Sequence, residues 1–125
     1  MVALGEIMAR DVYTTSPDTP VSDVAEAMVQ GRIGSAAVVV GELLVGIFTE
    51  RDVLRAAAGR GDLRGEPVRN WMTEDPVTAT VEEDSEEASE TMLAGGFRHL
   101  PVLDGTKLVG IVSLRDLLSA RIRRR

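Results

Sequence analysis

The apolar positions of the chain change their period several times. Val21, Val24, Ala25, Met28 and Val29 fall at i, i+3, i+4, i+7 and i+8, one face of a helix. Gly31 stands where such a helix would stop. "AAVVV" (36–40) then reads as a buried strand, "GE" as a turn and "LLVGIFT" (43–49) as a second strand, which together make a hairpin. "ERDVLRAAAGR" (50–60) has helical composition and predicts a helix ending near Gly59. The succession then recurs, with a helix near 85–94, strands near 99–103 and 107–113 around the turn "DGT", and a last helix from about Leu114. Short extended pieces around Val12 to Thr14 and Val77 to Thr80 precede the first helix of each set. The predicted order is β-α-β-β-α, twice.

The recurrence extends to individual residues. Gly46 and Gly110 differ by 64 positions, and the same offset pairs Met8 with Met72, Asp11 with Asp75, Met28 with Met92 and Gly31 with Gly95. It also pairs the runs Leu44–Ile47 and Leu108–Ile111, and then Arg51, Asp52 and Leu54 with Arg115, Asp116 and Leu118. A clustered set in one register marks two copies of one unit. The predicted fold class is α+β (α/β), two β-α-β-β-α units in tandem at 7–61 and 71–123 forming one pseudo-two-fold module. Residues 62–70, within the Gly-, Pro- and charge-bearing stretch "GRGDLRGEPVRN", read as an exposed linker. A unit of about 55 residues is marginal alone, so two units packed sheet to sheet would share one core.

Composition narrows the function classes. The 125 residues are 44% hydrophobic and 27% charged, a globular balance rather than a disordered one. With no cysteine there is no disulfide, thiolate metal site or cysteine nucleophile. Apolar runs fall far short of the roughly 20 residues that span a bilayer, and no signal segment opens the chain, so a soluble, cytoplasmic protein is expected. The net charge of −6 disfavours nucleic acid as the main partner.

One echo carries chemistry. "GIFTERD" (46–52) returns as "GIVSLRD" (110–116), each setting a hydroxyl residue three positions before an aspartate where a strand passes into a helix. Thr49 with Asp52, and Ser113 with Asp116, are close to a capping box. The same geometry would suit a ligand, because a helix N-terminus offers unpaired N–H groups to a phosphate and a carboxylate can accept from ribose hydroxyls. The motif alone leaves both readings open.

Context adds to it. The tandem units, the two echoes, the phrase "RHLPVLDGTKLVGIVSLRDLL" (98–118), and Ile7-Met8 with Asp11 or Trp71-Met72 with Asp75 at the head of each unit resemble the cystathionine-β-synthase (CBS) domain family. The resemblance covers almost the whole chain. It implies a CBS pair, or Bateman module, a regulatory unit and not an enzyme, which binds adenosine-containing ligands such as AMP, ADP, ATP or S-adenosylmethionine. It also implies a homodimer packed through its helices, and an unidentified regulated protein.

Carried onto this sequence, the resemblance implies two clefts between the units. In one, Ser113, Arg115 and Asp116 would face Asp11, Tyr13, Ile33, Gly34 and Ser35. In the other, Thr49, Arg51 and Asp52 would face Asp75, Val77, Phe97, Arg98 and His99. The aspartates would hold ribose, the hydroxyls phosphate, and Arg98 with His99 would add charge for phosphates. Because "FRHLPV" carries that charge and "IGSAAV" does not, the Asp52 cleft is the expected site for a multiply charged nucleotide. Tyr13 is a candidate to flank an adenine, and Trp71 to pack at the head of the second unit.

The remaining features have plainer readings. His99 is the only histidine, so neither a metal site nor a catalytic triad is expected, and no cofactor is required. "EEDSEE" (82–87) and "RIRRR" (121–125) complement the dipoles of a helix start and a helix end. The alternative to a ligand sensor is a docking scaffold with unused clefts.

Overall fold

The computed structural model describes residues 2–59 and 61–123. Arg60, at the end of the first predicted unit, and Arg124 and Arg125 of the basic tail lie outside the described residues, as does Met1. The first repeat comprises β1 (Thr14–Thr15), α1 (Val21–Gly31), β2 (Ser35–Val40), β3 (Leu43–Thr49) and α2 (Glu50–Ala58). The second comprises β5 (Ala79–Thr80), α3 (Ser85–Gly95), β6 (His99–Asp104), β7 (Lys107–Ser113) and α4 (Leu114–Arg123). Between them lie a 3-10 turn (Val68–Asn70) and a short strand, β4 (Thr73–Glu74), and a further 3-10 turn (Leu4–Glu6) opens the chain.

Each hairpin turns through a glycine with positive φ, Gly41 at 61° and Gly105 at 63°, a conformation that other residues adopt at a cost. In each repeat the first strand runs parallel to the second, which pairs antiparallel with the third. The register slips at the same point in both hairpins, between Val38 and Val39 and between Val102 and Leu103.

The chain divides into two compact bodies whose boundaries do not follow the repeats. One is Tyr13–Pro76, and the other joins Met1–Val12 to Val77–Arg125. The head of each repeat therefore packs on the sheet of the other. In the first body β4 adds antiparallel to β3, with Gly46 opposite Glu74 and Ile47 opposite Thr73. In the second, Ala9 and Ile111 exchange backbone hydrogen bonds of 2.9 and 3.0 Å, and Leu4 N–H donates to the Glu83 carbonyl at 2.9 Å.

This exchange accounts for two of the repeated residue pairs at once. Met72 lies over Gly46 and Met8 over Gly110, where a Cβ would run into the methionine side chain. A strand glycine of this kind marks a close approach, and here the approaching group is the head of the opposite repeat.

The imported segments also supply core. Instead of one shared core, buried residues form two clusters, one per body. In the first, Val21, Val24, Met28, Ala36, Val38, Phe48 and Ala56 are joined by Val68, with Trp71 and Met72 packed against them. In the second, Met92, Leu100, Val102, Val112 and Leu117 are joined by Leu4 and Met8. Each fully buried side chain of this size contributes about 1.5–3 kcal/mol, as an upper estimate. The predicted linker takes part in this. Asp62, Arg64 and Gly65 are exposed, but Val68 is fully buried and its N–H donates to the Thr19 carbonyl. Trp71, expected to pack at the head of the second unit, does so as part of a head that packs against the first core.

Candidate functional site

Both echoed motifs sit where a strand ends and a helix begins, and both act as caps. Thr49 precedes α2 with an extended backbone (φ −125°, ψ 173°). Its N–H donates to Asp52 Oδ2 at 2.9 Å and its hydroxyl lies 3.4 Å from the same oxygen. In the second motif the bonds are reciprocal, with Ser113 N–H to Asp116 Oδ2 at 3.2 Å and Asp116 N–H to Ser113 Oγ at 3.0 Å. The carboxylates thus satisfy backbone donors at the start of each helix, which fixes their position.

The hairpins bring further predicted residues to these caps. Ser35, buried at the start of β2, pairs with Thr49 across the sheet, and Glu50 N–H donates to the Gly34 carbonyl at 3.1 Å. In the second body His99 pairs with Ser113, and Leu114 N–H donates to the Arg98 carbonyl at 2.8 Å. Each body therefore gathers a hydroxyl, an aspartate, a helix N-terminus and the leading end of the neighbouring strand. Arg98 and Arg115 are exposed beside the second motif and Arg51 beside the first.

The other predicted residues are placed as follows. The set expected around Asp52 divides between the bodies, with Thr49, Arg51, Asp52 and Asp75 in Tyr13–Pro76 and Val77, Phe97, Arg98 and His99 in the other. The set expected around Asp116 divides likewise, with Asp11, Ser113, Arg115 and Asp116 in one body and Tyr13, Ile33, Gly34 and Ser35 in the other. Tyr13 packs partly buried against the first core, and its carbonyl accepts from Ala37 N–H at 2.9 Å. Phe97 packs against the second core. Asp11 and Asp75 are exposed, and Asp75 holds a left-handed backbone with φ 45°. Val77 and Ile33 are exposed as well.

Sequence reasoning missed Arg55. Its Nη1 donates to Asp52 Oδ1 at 3.1 Å, and its guanidinium carbon lies 5.7 Å from the centre of the Trp71 ring. The signal for it was the offset itself, since the position 64 residues on holds Ser119. Among the described residues no cluster of three His, Asp or Glu side chains could hold a metal ion, and no helix is long and apolar enough to cross a membrane.

What these elements define is a pair of CBS units, and similarity to known proteins agrees. The CBS domain model matches residues 4–59 and 68–123. The chain belongs to the CBS domain family. It is 38% identical over 94% of its length to an uncharacterised 17.7 kDa protein of Acidianus ambivalens, and it spans 71% of that protein. It is also 37% identical to an inosine-5'-monophosphate dehydrogenase of Methanocaldococcus jannaschii, over 93% of this chain and only 23% of that enzyme. Among solved structures it is similar to a CBS domain protein of Pyrobaculum aerophilum complexed with AMP. That likeness has a TM-score of 0.85 and 28% identity, over 92% of this chain and 89% of the other.

Proposed function

We propose that this chain is a regulatory binding module, not a catalyst, that takes an adenosine-containing ligand at its two capping motifs and signals to a partner protein in the cytoplasm. The carrying observation is the twofold placement of a hydroxyl and a helix-capping aspartate at a strand-to-helix junction, in a chain similar to a family member complexed with AMP. Asp52 and Asp116 are acceptors for ribose hydroxyls. Thr49, Ser113 and the helix N–H groups serve phosphate, and exposed Arg98 adds the planar fork of donors that grips it. AMP, ADP, ATP and S-adenosylmethionine are the ligands to test.

A ligand at 100 times its dissociation constant stabilises the folded chain by about 2.7 kcal/mol. Thermal unfolding against these four compounds and a guanine nucleotide is therefore the direct test. A rise with adenine compounds, reduced in Asp52→Ala or Asp116→Ala, supports the sensor. No rise with any of them at millimolar concentration removes it and leaves a docking scaffold.

The helices also carry a repeated apolar pair. Val29 (77% exposed) and Leu54 (71%) in one body match Leu93 (67%) and Leu118 (53%) in the other through the 64-residue offset. We infer that these positions meet a second copy of the chain. Sedimentation of wild type against Leu54→Glu and Leu118→Glu tests this, with dissociation to monomer as the expected result.

A further inference from the structure

The two motifs part company at one oxygen. Both oxygens of Asp52 are engaged, Oδ2 by Thr49 and Oδ1 by Arg55, and the residue is 5% exposed. Arg55 is held in turn over the face of Trp71, an attraction between a cation and the negative face of the ring. Asp116 has Oδ2 engaged by Ser113 N–H, and its Oδ1 has no partner among the described residues. The positions equivalent to Arg55 and Trp71 hold Ser119 and Ile7, which offer neither a guanidinium nor a ring.

We propose that Arg55 is a selectivity residue that competes with a ligand's hydroxyls for Asp52, so that the Asp116 motif fills first and the Asp52 motif fills only as Arg55 lets go of Oδ1. This rests on the reading above, in which the aspartates receive ribose hydroxyls. It orders the motifs opposite to the expectation that set Arg98 and His99 with Asp52, two residues that belong to the same body as Ser113 and Asp116. The reason is that an acceptor already paired to a cation must exchange partners before it can serve a neutral hydroxyl. Arg55 is largely exposed and its pair with Asp52 spans three positions on a helix surface, so the handicap is modest, about fivefold in affinity.

The molecule carries its own reporter. Trp71 is the only tryptophan in the sequence and stacks under Arg55, so its emission should follow Arg55 and not events at Asp116. The experiment is titration of the full chain with AMP by calorimetry, and in parallel by tryptophan fluorescence, for wild type, Arg55→Ser, Ser119→Arg, Asp52→Ala and Asp116→Ala. Unfolding midpoints confirm that each variant is folded.

The expected result is two binding events in wild type, the tighter lost in Asp116→Ala and the weaker lost in Asp52→Ala. Only the weaker event should change the fluorescence. Arg55→Ser should strengthen it about fivefold and silence its emission change, while Ser119→Arg should weaken the tighter one. Weaker binding in Arg55→Ser would make Arg55 a direct ligand contact and overturn the proposal, as would two events unchanged by either substitution. No heat with AMP in wild type or in any variant would overturn the underlying reading of the aspartates along with it.

Discussion

The two bodies share one plan and fill it differently. In Tyr13–Pro76 the imported head places Trp71 near Gly59 and under Arg55, so that the end of α2 is closed by a large ring. In the other body the equivalent residue is Ile7, and beside it lies a cavity of about 330 Å³ lined also by Ser89, Leu93, Leu114 and Leu118. The three-stranded frame of each repeat, down to the slip in its hairpin register, is the same. Duplicated units therefore keep their hairpins and caps, while single positions on the heads and helices set how much room lies beside the last helix and how the aspartate is paired.

The largest test of this comparison replaces equivalent core residues. Phe48 and Val112 occupy the same position of the two repeats, and both are fully buried. Phe48→Ala is expected to cost about 3–5 kcal/mol and Val112→Ala about 2 kcal/mol, read from denaturant midpoints. Equal costs would mean that the two cores are packed alike despite their different side chains.

Next in size is the crossing of the heads. An added Cβ at Gly46 would lie 3.0 Å from the Thr73 carbonyl oxygen, and at Gly110 3.1 Å from that of Ala9, with a methionine side chain nearer still in both cases. Gly46→Ala and Gly110→Ala should each destabilise by about 1–3 kcal/mol. A neutral result in either would show that the head segment is not held against that strand.

The four helices and the hairpin strands were legible in the sequence because each has a local cause, whereas β4 and the two 3-10 turns were not expected. The 3.6-residue period marked α1, which ends at Gly31 as expected, and alternating or continuous apolar runs between turn glycines marked all four hairpin strands. The exchange of heads was not legible from the residues alone; only the family resemblance set Asp11 against Asp116 and Asp75 against Asp52, pairs that do share a body. An offset of 64 says which residues are equivalent, but not whether Met8 lies over Gly46 or Gly110. Either choice sets a methionine against a strand glycine, so the repeat pattern fits both. The capping role of Thr49 and Ser113 could be read from spacing, whereas the Arg55 bridge between Asp52 and Trp71 depends on a ring from a segment expected elsewhere.

A third test uses the helix ends. Arg32 follows α1 with φ 55°, while its equivalent, Gly96, follows α3 with φ 72°. The left-handed conformation costs a side-chain-bearing residue about 1–2 kcal/mol that glycine avoids. Arg32→Gly is therefore expected to raise stability by about 1 kcal/mol, and Gly96→Ala to lower it similarly. Opposite signs at equivalent positions are the prediction, and a shared sign would refute it.

The smallest expected effect concerns pH and only one body. Glu83, between β5 and α3, has its carboxyl held above the usual 4.5, first by burial and then by the neighbouring charge of Glu87. Its equivalent in the first repeat is Thr19, which does not titrate. A carboxyl whose folded value is raised binds its proton more firmly folded than unfolded. Stability is then undiminished below the unfolded value of 4.5, and it falls as pH rises through the folded value. At neutral pH the fold carries this charge at a cost. Glu83→Gln should therefore unfold at slightly higher denaturant than wild type at neutral pH, and the two should converge below pH 4.5. The Thr19→Glu variant would carry the same penalty into the other body if its pocket matched. A difference between wild type and Glu83→Gln that persisted unchanged into acid would instead trace the effect to packing, since only the ionised form of Glu83 bears the cost of burial and repels Glu87.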